Sequence, residues 1–266
     1  MSAHTAVPKF DHPRLVEPGL SERSESRWKP FAAVALGGWI AMLAVCVGAG
    51  WLITGALSDT GLVRWDRQYP VDLAATRTAT GRMWSHYGSL MGETLTVIAV
   101  AVLVGVVLLL LKRWASVLLI ATALLSEVTI FIATTLLVPR DRPDVHQLDA
   151  SPPTSSFPSG HTAASTALAF SLAVIIGWHV RSRIVRLLAW VVAVVIGPVV
   201  GFCRIYRGMH HPLDVAVGFA LGAGCVLVAF LAVRTWAGEA FHALEQGDAD
   251  DRPEQWDSSS DSRMAS

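Results

Sequence analysis

The sequence predicts an all-α fold: a polytopic membrane helix bundle with six transmembrane helices. Three observations lead to this prediction. Hydrophobic residues make up 53% of the 266 residues, charged residues make up only 16%, and the apolar residues lie in long uninterrupted blocks. Ordinary soluble domains average about 45–50% apolar and about 25% charged residues. Because the hydrocarbon core of a bilayer offers no water to backbone polar groups, such blocks cross it as helices.

Six apolar blocks have the length of membrane spans, which need roughly 20 residues to cross about 30 Å of hydrocarbon. In chain order they are 31–56, 91–111, 114–138, 161–180, 187–206 and 213–236. The first block is longer than the apolar core of a secretory signal, about 7–15 residues, so we expect it to remain in the protein as a span. Together the blocks form one membrane domain, residues 31–236.

The polar tails, residues 1–30 and 237–266, have almost no aliphatic runs and are predicted to be disordered. Lys and Arg are concentrated in the first tail and in the connections 112–113 and 181–186. By the positive-inside rule, we expect both tails on the cytoplasmic side of the cell membrane. The connections after the first, third and fifth spans then lie on the extracytoplasmic side.

Charge and cysteine content argue against several classes of protein. Lys and Arg number 21 in total, as do Asp and Glu, so the chain has no net positive field to attract nucleic acid. The three cysteines, Cys46, Cys203 and Cys225, have no CxxC spacing, which argues against a structural zinc site or a disulfide framework. We therefore expect function to come from the extracytoplasmic connections.

Three segments in those connections carry the residue types that suggest chemistry. They are "VPRDRP" with Arg140 and Arg142, "FPSGH" with Ser159, Gly160 and His161, and "CRIYRGMHHPLD" with Arg204, His210 and Asp214. The first two follow the third span and the last follows the fifth, so two crossings separate them and all three emerge on one face. Ionisable residues at span ends are costly unless they serve a site.

This set of residues suits a phosphate ligand. Guanidinium groups pair with phosphate oxygens in a bidentate way, and the N-H groups of a Ser-Gly turn before a helix add partial positive charge. One of two histidines can attack phosphorus as a neutral imidazole while the other protonates the departing oxygen. A carboxylate can fix the tautomer of the attacking histidine. The connections hold no carboxylate cluster suited to Mg²⁺, so arginines would stabilise the transition state in its place.

The three segments resemble the type 2 phosphatidic acid phosphatase (PAP2) superfamily, whose pattern is Lys, six residues, Arg-Pro; then Pro-Ser-Gly-His; then Ser-Arg, five residues, His, three residues, Asp. The resemblance implies a metal-free and cofactor-free phosphatase with a six-span fold. It also implies that His210 forms a phospho-enzyme, that Asp214 orients it and that His161 is the general acid. By the same resemblance, the phosphate is held by Arg142, Ser159, Gly160 and Arg204.

Two positions depart from the family pattern. Thr135 stands where the pattern has Lys, and Cys203 replaces the Ser before Arg204. Loss of one charge-assisted contact to phosphate costs about 1.5–3 kcal/mol. Arg140 lies two residues before Arg142, and we hypothesise that it reaches the same phosphate oxygen and compensates for Thr135.

Several other residues are open to two interpretations. Glu127, near the middle of the third span, is either functional or a buried acid that is paired or protonated. Gly218 and Gly222 form a GxxxG pattern, which is more typical of close packing inside a bundle than of dimerisation. His211 is interpreted as a polar loop residue, because only the family spacing selects His210. The outer segment 57–90 is predicted to cap the entrance of the site.

A phosphate cradle at a membrane face suits a lipid whose head group stays at the interface. The predicted substrates are lipid phosphates or diphosphates such as polyprenyl diphosphate, phosphatidic acid and phosphatidylglycerol phosphate, and the predicted partners are that lipid and the bilayer. Two alternatives remain: a lipid phosphotransferase, in which another hydroxyl captures the phosphohistidine, and a non-catalytic membrane protein that binds lipid phosphates.

Overall fold

The computed structural model describes residues 20–151 and 154–238, which contain eight α-helices and no strand. The helices are α1 (Leu20–Trp51), which continues into a π-helical turn (Leu52–Ala56), α2 (Gly61–Ala75), α3 (Ala79–Leu90), α4 (Thr94–Leu110), α5 (Trp114–Leu137), α6 (Gly160–His179), α7 (Arg183–Tyr206) and α8 (Pro212–Ala237). The predicted all-α class is confirmed.

Five helical segments of the described chain are long and apolar enough to cross a membrane. They are Arg27–Ala56, Trp114–Leu137, Gly160–His179, Arg183–Tyr206 and Pro212–Ala237. A sixth span results if α3 and α4, which meet at an angle of 41°, are counted as one bent span. The six-span prediction is thus met with a broken second span, since α4 alone has 17 residues.

The break between α3 and α4 has a packing reason. A Cβ at Gly92 would lie 2.6 Å from the carbonyl oxygen of His161, so the backbone of this turn sits directly on the first turn of α6. Only glycine permits that approach without displacing one of the two backbones. The turn therefore brings the end of α3 next to the predicted catalytic segment.

Helix α8 packs in the centre of the bundle against α1, α5 and α6. Its GxxxG pattern faces α6: a Cβ at Gly218 would lie 2.5 Å from the carbonyl oxygen of Ser159, and one at Gly222 would lie 2.4 Å from that of Ala163. Missing side chains let the two helix backbones approach closely, as small residues do in membrane helix pairs. This confirms the interpretation of the pattern as packing within the bundle.

The segment 57–90 forms two helices, where the sequence predicted only an outer cap. Thr60 and Thr78 cap α2 and α3, because their hydroxyls accept hydrogen bonds from Val63 N–H at 3.4 Å and Gly81 N–H at 3.0 Å. Helix α3 packs against α7, and α2 contacts both α7 and α8. The two helices thus lie over the end of the bundle at which α6 and α8 begin.

The N-terminal tail differs from the prediction. Residues 20–30 are helical, as the start of α1, where the sequence predicted disorder over 1–30. Aromatic contacts help to hold this end: the Trp28 ring lies 5.5 Å from the Phe31 ring and 5.8 Å from the Trp236 ring. The predicted disorder of residues 1–19 and of nearly all of the second tail concerns positions outside the described residues.

Candidate active site

The three polar segments meet at one end of the bundle, as the count of crossings predicted. Arg142 Nη1 donates to the carbonyl of Met209 at 2.8 Å, which joins the first segment to the third. The backbone N–H of Ser159 donates to the carbonyl of Asp214 at 3.0 Å, which joins the second to the third. Residues from the α5–α6 connection, the start of α6, the α7–α8 connection and the start of α8 therefore share one site.

The imidazole of His210 is buried and held in one tautomer. Its Nδ1 lies 2.7 Å from the carbonyl oxygen of Ser156. A carbonyl oxygen only accepts hydrogen bonds, so Nδ1 carries the proton of the neutral ring and Nε2 keeps its lone pair. Burial lowers the pKa of His210, and the carboxylate of Asp214 offsets this only in part. The ring is therefore neutral at neutral pH, as a nucleophile requires.

Asp214 has different partners from those that the resemblance implied. Its Oδ2 lies 3.8 Å from His210 Nδ1, beyond hydrogen-bond distance, and accepts instead from the backbone N–H of His211 at 2.8 Å. The Nδ1 of His211 lies 3.3 Å from the same oxygen. In this structure the hydrogen bond that orients the His210 ring is made with the Ser156 carbonyl, and the Asp214 carboxylate lies beside the ring as a neighbouring charge. The buried His211 belongs to this cluster rather than to a polar loop surface.

Arg142 and Arg204 supply the positive charge near His210. Arg204 is buried and its Nη1 donates to Ser89 Oγ at 3.0 Å. The Nε atoms of both arginines are buried, and neither has a hydrogen-bond acceptor within the described chain. Burial also lowers the pKa of Arg142, although a guanidinium stays charged. A buried donor without an acceptor costs free energy, which an anion placed between the two arginines would recover.

A carboxylate that the sequence analysis did not single out also binds Arg204. Asp149 Oδ2 accepts from Arg204 Nη1 at 2.7 Å and from Arg207 Nε at 2.6 Å, and Arg207 Nη2 binds the other oxygen. Burial alone would raise the pKa of Asp149, but the hydrogen bond from Arg207 and the charges of both arginines hold it below its usual value. Arg207 is therefore part of the site, and a negative charge sits at the edge of the cradle. No motif marks Asp149 in the sequence.

The hypothesis about Arg140 needs correction. Both of its Nη atoms bind buried carboxylates, one from Asp66 and one from Asp214, and its side chain is only 7% exposed. The guanidinium of Arg140 is thus engaged by two carboxylates of the chain itself. The Thr135 hydroxyl donates to the carbonyl of Ile132 in its own helix.

Ser159, Gly160 and His161 form the start of α6, as predicted. Ser159 Oγ pairs with Thr162 Oγ1 at 2.9 Å, and a Cβ at Gly160 would lie 2.9 Å from the Phe131 ring, so this turn packs tightly on α5. The first N–H groups of a helix have no partners within it and carry partial positive charge. His161 lies close to Arg204, Asp149 and His210.

Comparisons with known proteins agree with this geometry. Residues 114–237, a little under half of the chain, match the sequence profile of the PAP2 superfamily. Decaprenylphosphoryl-5-phosphoribose phosphatases from two Mycobacterium tuberculosis strains, CDC 1551 / Oshkosh and ATCC 25618 / H37Rv, are 37% identical over 90 residues, which is 33% of this chain. The match covers 44% of those relatives, less than half of their length.

One solved structure covers most of the chain. The crystal structure of a transmembrane PAP2-type phosphatidylglycerolphosphate phosphatase from Bacillus subtilis aligns with a TM-score of 0.61 at 18% identity. The alignment covers 84% of this chain and 100% of that one. At this level of identity the likeness shows a shared fold, including the arrangement of the membrane helices.

Proposed function

Because residues 114–237 of this chain match the sequence profile of the PAP2 superfamily, we propose that the protein is a membrane phosphatase that hydrolyses a lipid phosphate or diphosphate. The observation that carries the proposal is the buried imidazole of His210. Its Nδ1–H is held by the Ser156 carbonyl, so that Nε2 is an unprotonated nucleophile next to two guanidinium groups with unpaired donors. A protein that only binds phosphate has no need of such a group.

In the proposed reaction, Nε2 of His210 attacks phosphorus and forms an N–P bond while the P–O bond to the lipid breaks. His161 donates a proton to the departing lipid oxygen. Water then attacks phosphorus of the phosphohistidine and forms a new P–O bond, while His161 takes up one proton of that water. The N–P bond breaks in the same step, its electron pair returns to Nε2 of His210, and inorganic phosphate leaves.

The charge that develops on the phosphoryl oxygens is stabilised by fixed groups. Arg142 and Arg204 offer their Nε–H donors. Gly160 and His161 lie in the first turn of α6, where backbone N–H groups have no partner within the helix. Donors that are already in place do not have to reorganise during the reaction, and such electrostatic stabilisation is commonly the largest contribution to catalysis. Arg207 acts through Asp149 and Arg204 rather than directly.

We propose that the reaction needs no metal ion. Within residues 20–151 and 154–238, no group of three or more His, Cys, Asp or Glu side chains could hold one. The arginines carry the charge that a metal would otherwise neutralise. Persistence of activity in a chelator is the corresponding expectation.

The substrate class follows from the position of the site at the end of an apolar bundle. Helices α4, α5 and α7 expose rows of large apolar side chains to their surroundings, for example Leu103, Leu136 and Leu187. A lipid can keep its tails against such surfaces while its phosphate lies at the end of the bundle, where the polar segments meet. Phosphatidic acid, phosphatidylglycerol phosphate and polyprenyl diphosphate are candidates, and the name of the mycobacterial relatives adds a polyprenyl-linked sugar phosphate. We place this site on the extracytoplasmic side, with both termini in the cytoplasm.

The test is release of inorganic phosphate from these lipids by the full-length protein in detergent micelles or nanodiscs, with EDTA present. His210→Ala should abolish release, and a ³²P-labelled substrate should give an acid-labile labelled protein that this variant lacks. His86→Ala is the matched control, because His86 is an exposed histidine on α3. Native release by His210→Ala would overturn the mechanism. Transfer of label to a lipid or sugar hydroxyl would identify a phosphotransferase, and binding without turnover a non-catalytic protein.

A further inference from the structure

A buried chain of three charged groups links α2 to the proposed catalytic centre. The guanidinium of Arg140 binds the carboxylates of Asp66 and Asp214 with its two Nη atoms. Both carboxylates are fully buried, and the Arg140 side chain is 7% exposed. Buried charges persist only when they are paired in this way, so the three groups form one unit rather than a set of optional surface contacts.

Asp66 reaches the start of α8 by two routes. Its Oδ2 binds Arg140, which binds Asp214, and its Oδ1 accepts a hydrogen bond from the backbone N–H of Leu213 at 2.7 Å. Leu213 lies in the first turn of α8, where a backbone N–H has no partner within the helix. One side chain of α2 therefore holds both the backbone and the catalytic carboxylate of this turn.

Arg140, which is held by Asp66, orients the Asp214 carboxylate. Because Oδ1 of Asp214 is bound to Arg140, Oδ2 faces His211 and the Nδ1 side of His210. Loss of Arg140, or of Asp66, which holds Arg140 in place, would free the Asp214 carboxylate to rotate and would change the charge that acts on the His210 imidazole.

We propose that Asp66 and Arg140 are positioning residues, which hold the Asp214 carboxylate and the first turn of α8 in the arrangement that His210 requires. The proposal rests on the function proposed above and extends it, because it makes the outer helix α2 a part of the active site. It also assigns Arg140 a role other than phosphate binding.

The two variants are expected to move the pH dependence of the reaction in opposite directions. Asp66→Asn removes a negative charge from the buried cluster that contains Asp214, the carboxylate beside His210, which disfavours the imidazolium and moves the acid limb of kcat/KM to lower pH. Arg140→Gln removes a positive charge, which favours the imidazolium and moves the limb to higher pH. The charged or titratable groups that face His210 and Asp214, and that stay unchanged, are His211, Arg142, His161, Arg204 and Asp149.

A structural role alone would not produce this pattern. Partial unfolding lowers the amount of active enzyme but does not move the midpoint of a limb. Asn at position 66 also keeps an oxygen that accepts from Leu213 N–H. Arg140→Lys keeps the positive charge, so the acid limb of this variant should stay at the native pH. Its kcat should fall, because Lys cannot bind both carboxylates as the two Nη atoms of Arg140 do.

The experiment measures kcat and KM from acid to neutral pH for full-length variants in nanodiscs with EDTA. For Asp66→Asn and Arg140→Gln we expect kcat to fall by on the order of 10-fold to 100-fold with little change in KM, as for displaced supporting groups. Asp72→Asn is the control, because Asp72 is exposed on the same helix and contacts Gln68 at 2.8 Å. It should behave like the native protein.

The outcomes separate the two proposals. Activity that survives in His210→Ala overturns the proposed function. If His210→Ala is inactive while Asp66→Asn and Arg140→Gln keep the native limb and the native kcat, the positioning role is wrong. If neither variant yields folded protein by thermal melting, the three groups are a folding element only, and the proposal is also overturned.

Discussion

Substitution of Gly218 by Ala tests whether the close contact between α8 and α6 sets the geometry of the site. The new Cβ would lie 2.5 Å from the carbonyl oxygen of Ser159, 3.3 Å from its carbonyl carbon and 3.4 Å from its Cβ. An ordinary contact begins near 3.4 Å, so the two backbones must separate by about 0.9 Å, which is 3.4 Å less 2.5 Å. Both sides of the contact are main chain, and no rotamer change relieves it.

The effect on activity should exceed the effect on stability. Overpacking of this kind costs about 1–3 kcal/mol, and the better helix propensity of Ala returns about 1 kcal/mol. Ser159 directly precedes Gly160 and His161, so the shift reaches the phosphate cradle and the proposed general acid. A displacement near 1 Å at reacting groups lowers the rate on the order of 100-fold.

The assay is phosphate release, as kcat/KM, with thermal unfolding of the same preparations in detergent. Gly222→Ala gives a more extensive clash, 2.4 Å from the carbonyl oxygen of Ala163, 2.8 Å from Thr166 Cβ and 2.9 Å from Ala167 N, but one turn further from Ser159. It should lower stability at least as much as Gly218→Ala, with a smaller loss of activity. Gly37→Ala, with no atom within 4 Å, should leave activity unchanged. Native kcat/KM in Gly218→Ala would refute the reasoning.

Two further predictions concern charge. Burial lowers the pKa of His210, and the nucleophile must be unprotonated. The acid limb of kcat/KM should therefore lie below about pH 6.5, and activity should fall only as the pH drops through that limb. A limb above that pH would contradict the assignment of His210 as the nucleophile. Asp149→Asn should strengthen inhibition by vanadate about tenfold, because its carboxylate competes with an oxyanion for Arg204 and one charge-assisted hydrogen bond is worth about 1.5 kcal/mol. Weaker inhibition would show that Asp149 supports the cradle instead.

The helices and the motif residues were accessible from the sequence for a simple reason. Apolar blocks and their interruptions are local, and they located α5, α6, α7 and α8 within a few residues. The spacing of Arg204, His210 and Asp214 is also local, so the resemblance predicted which residues meet His161. The helical start of α1 at Leu20 and the break at Gly92 were not predicted, and the break depends on a backbone contact with α6.

The partners of the charged residues could not be predicted from the sequence. Arg140 was assigned to the phosphate from its proximity to Arg142 along the chain, whereas it binds Asp66, 74 residues away. Asp149 and Ser89 reach Arg204 from 55 and 115 residues away. No pattern in the sequence pairs such positions, because the local sequence around a carboxylate in a polar connection does not show whether its partner is solvent or a guanidinium.

What the sequence alone determined is that this chain is a bundle of membrane helices with histidine-bearing segments that resemble the PAP2 pattern at one end, because hydropathy and motif spacing act over short stretches of chain. Only the tertiary structure decided which carboxylate neutralises which arginine, and that the Ser156 carbonyl fixes the tautomer of His210. Such pairings follow from helix packing, which brings buried charges from distant parts of the chain within hydrogen-bond distance. Each of these buried charges is stable only when its partners are present.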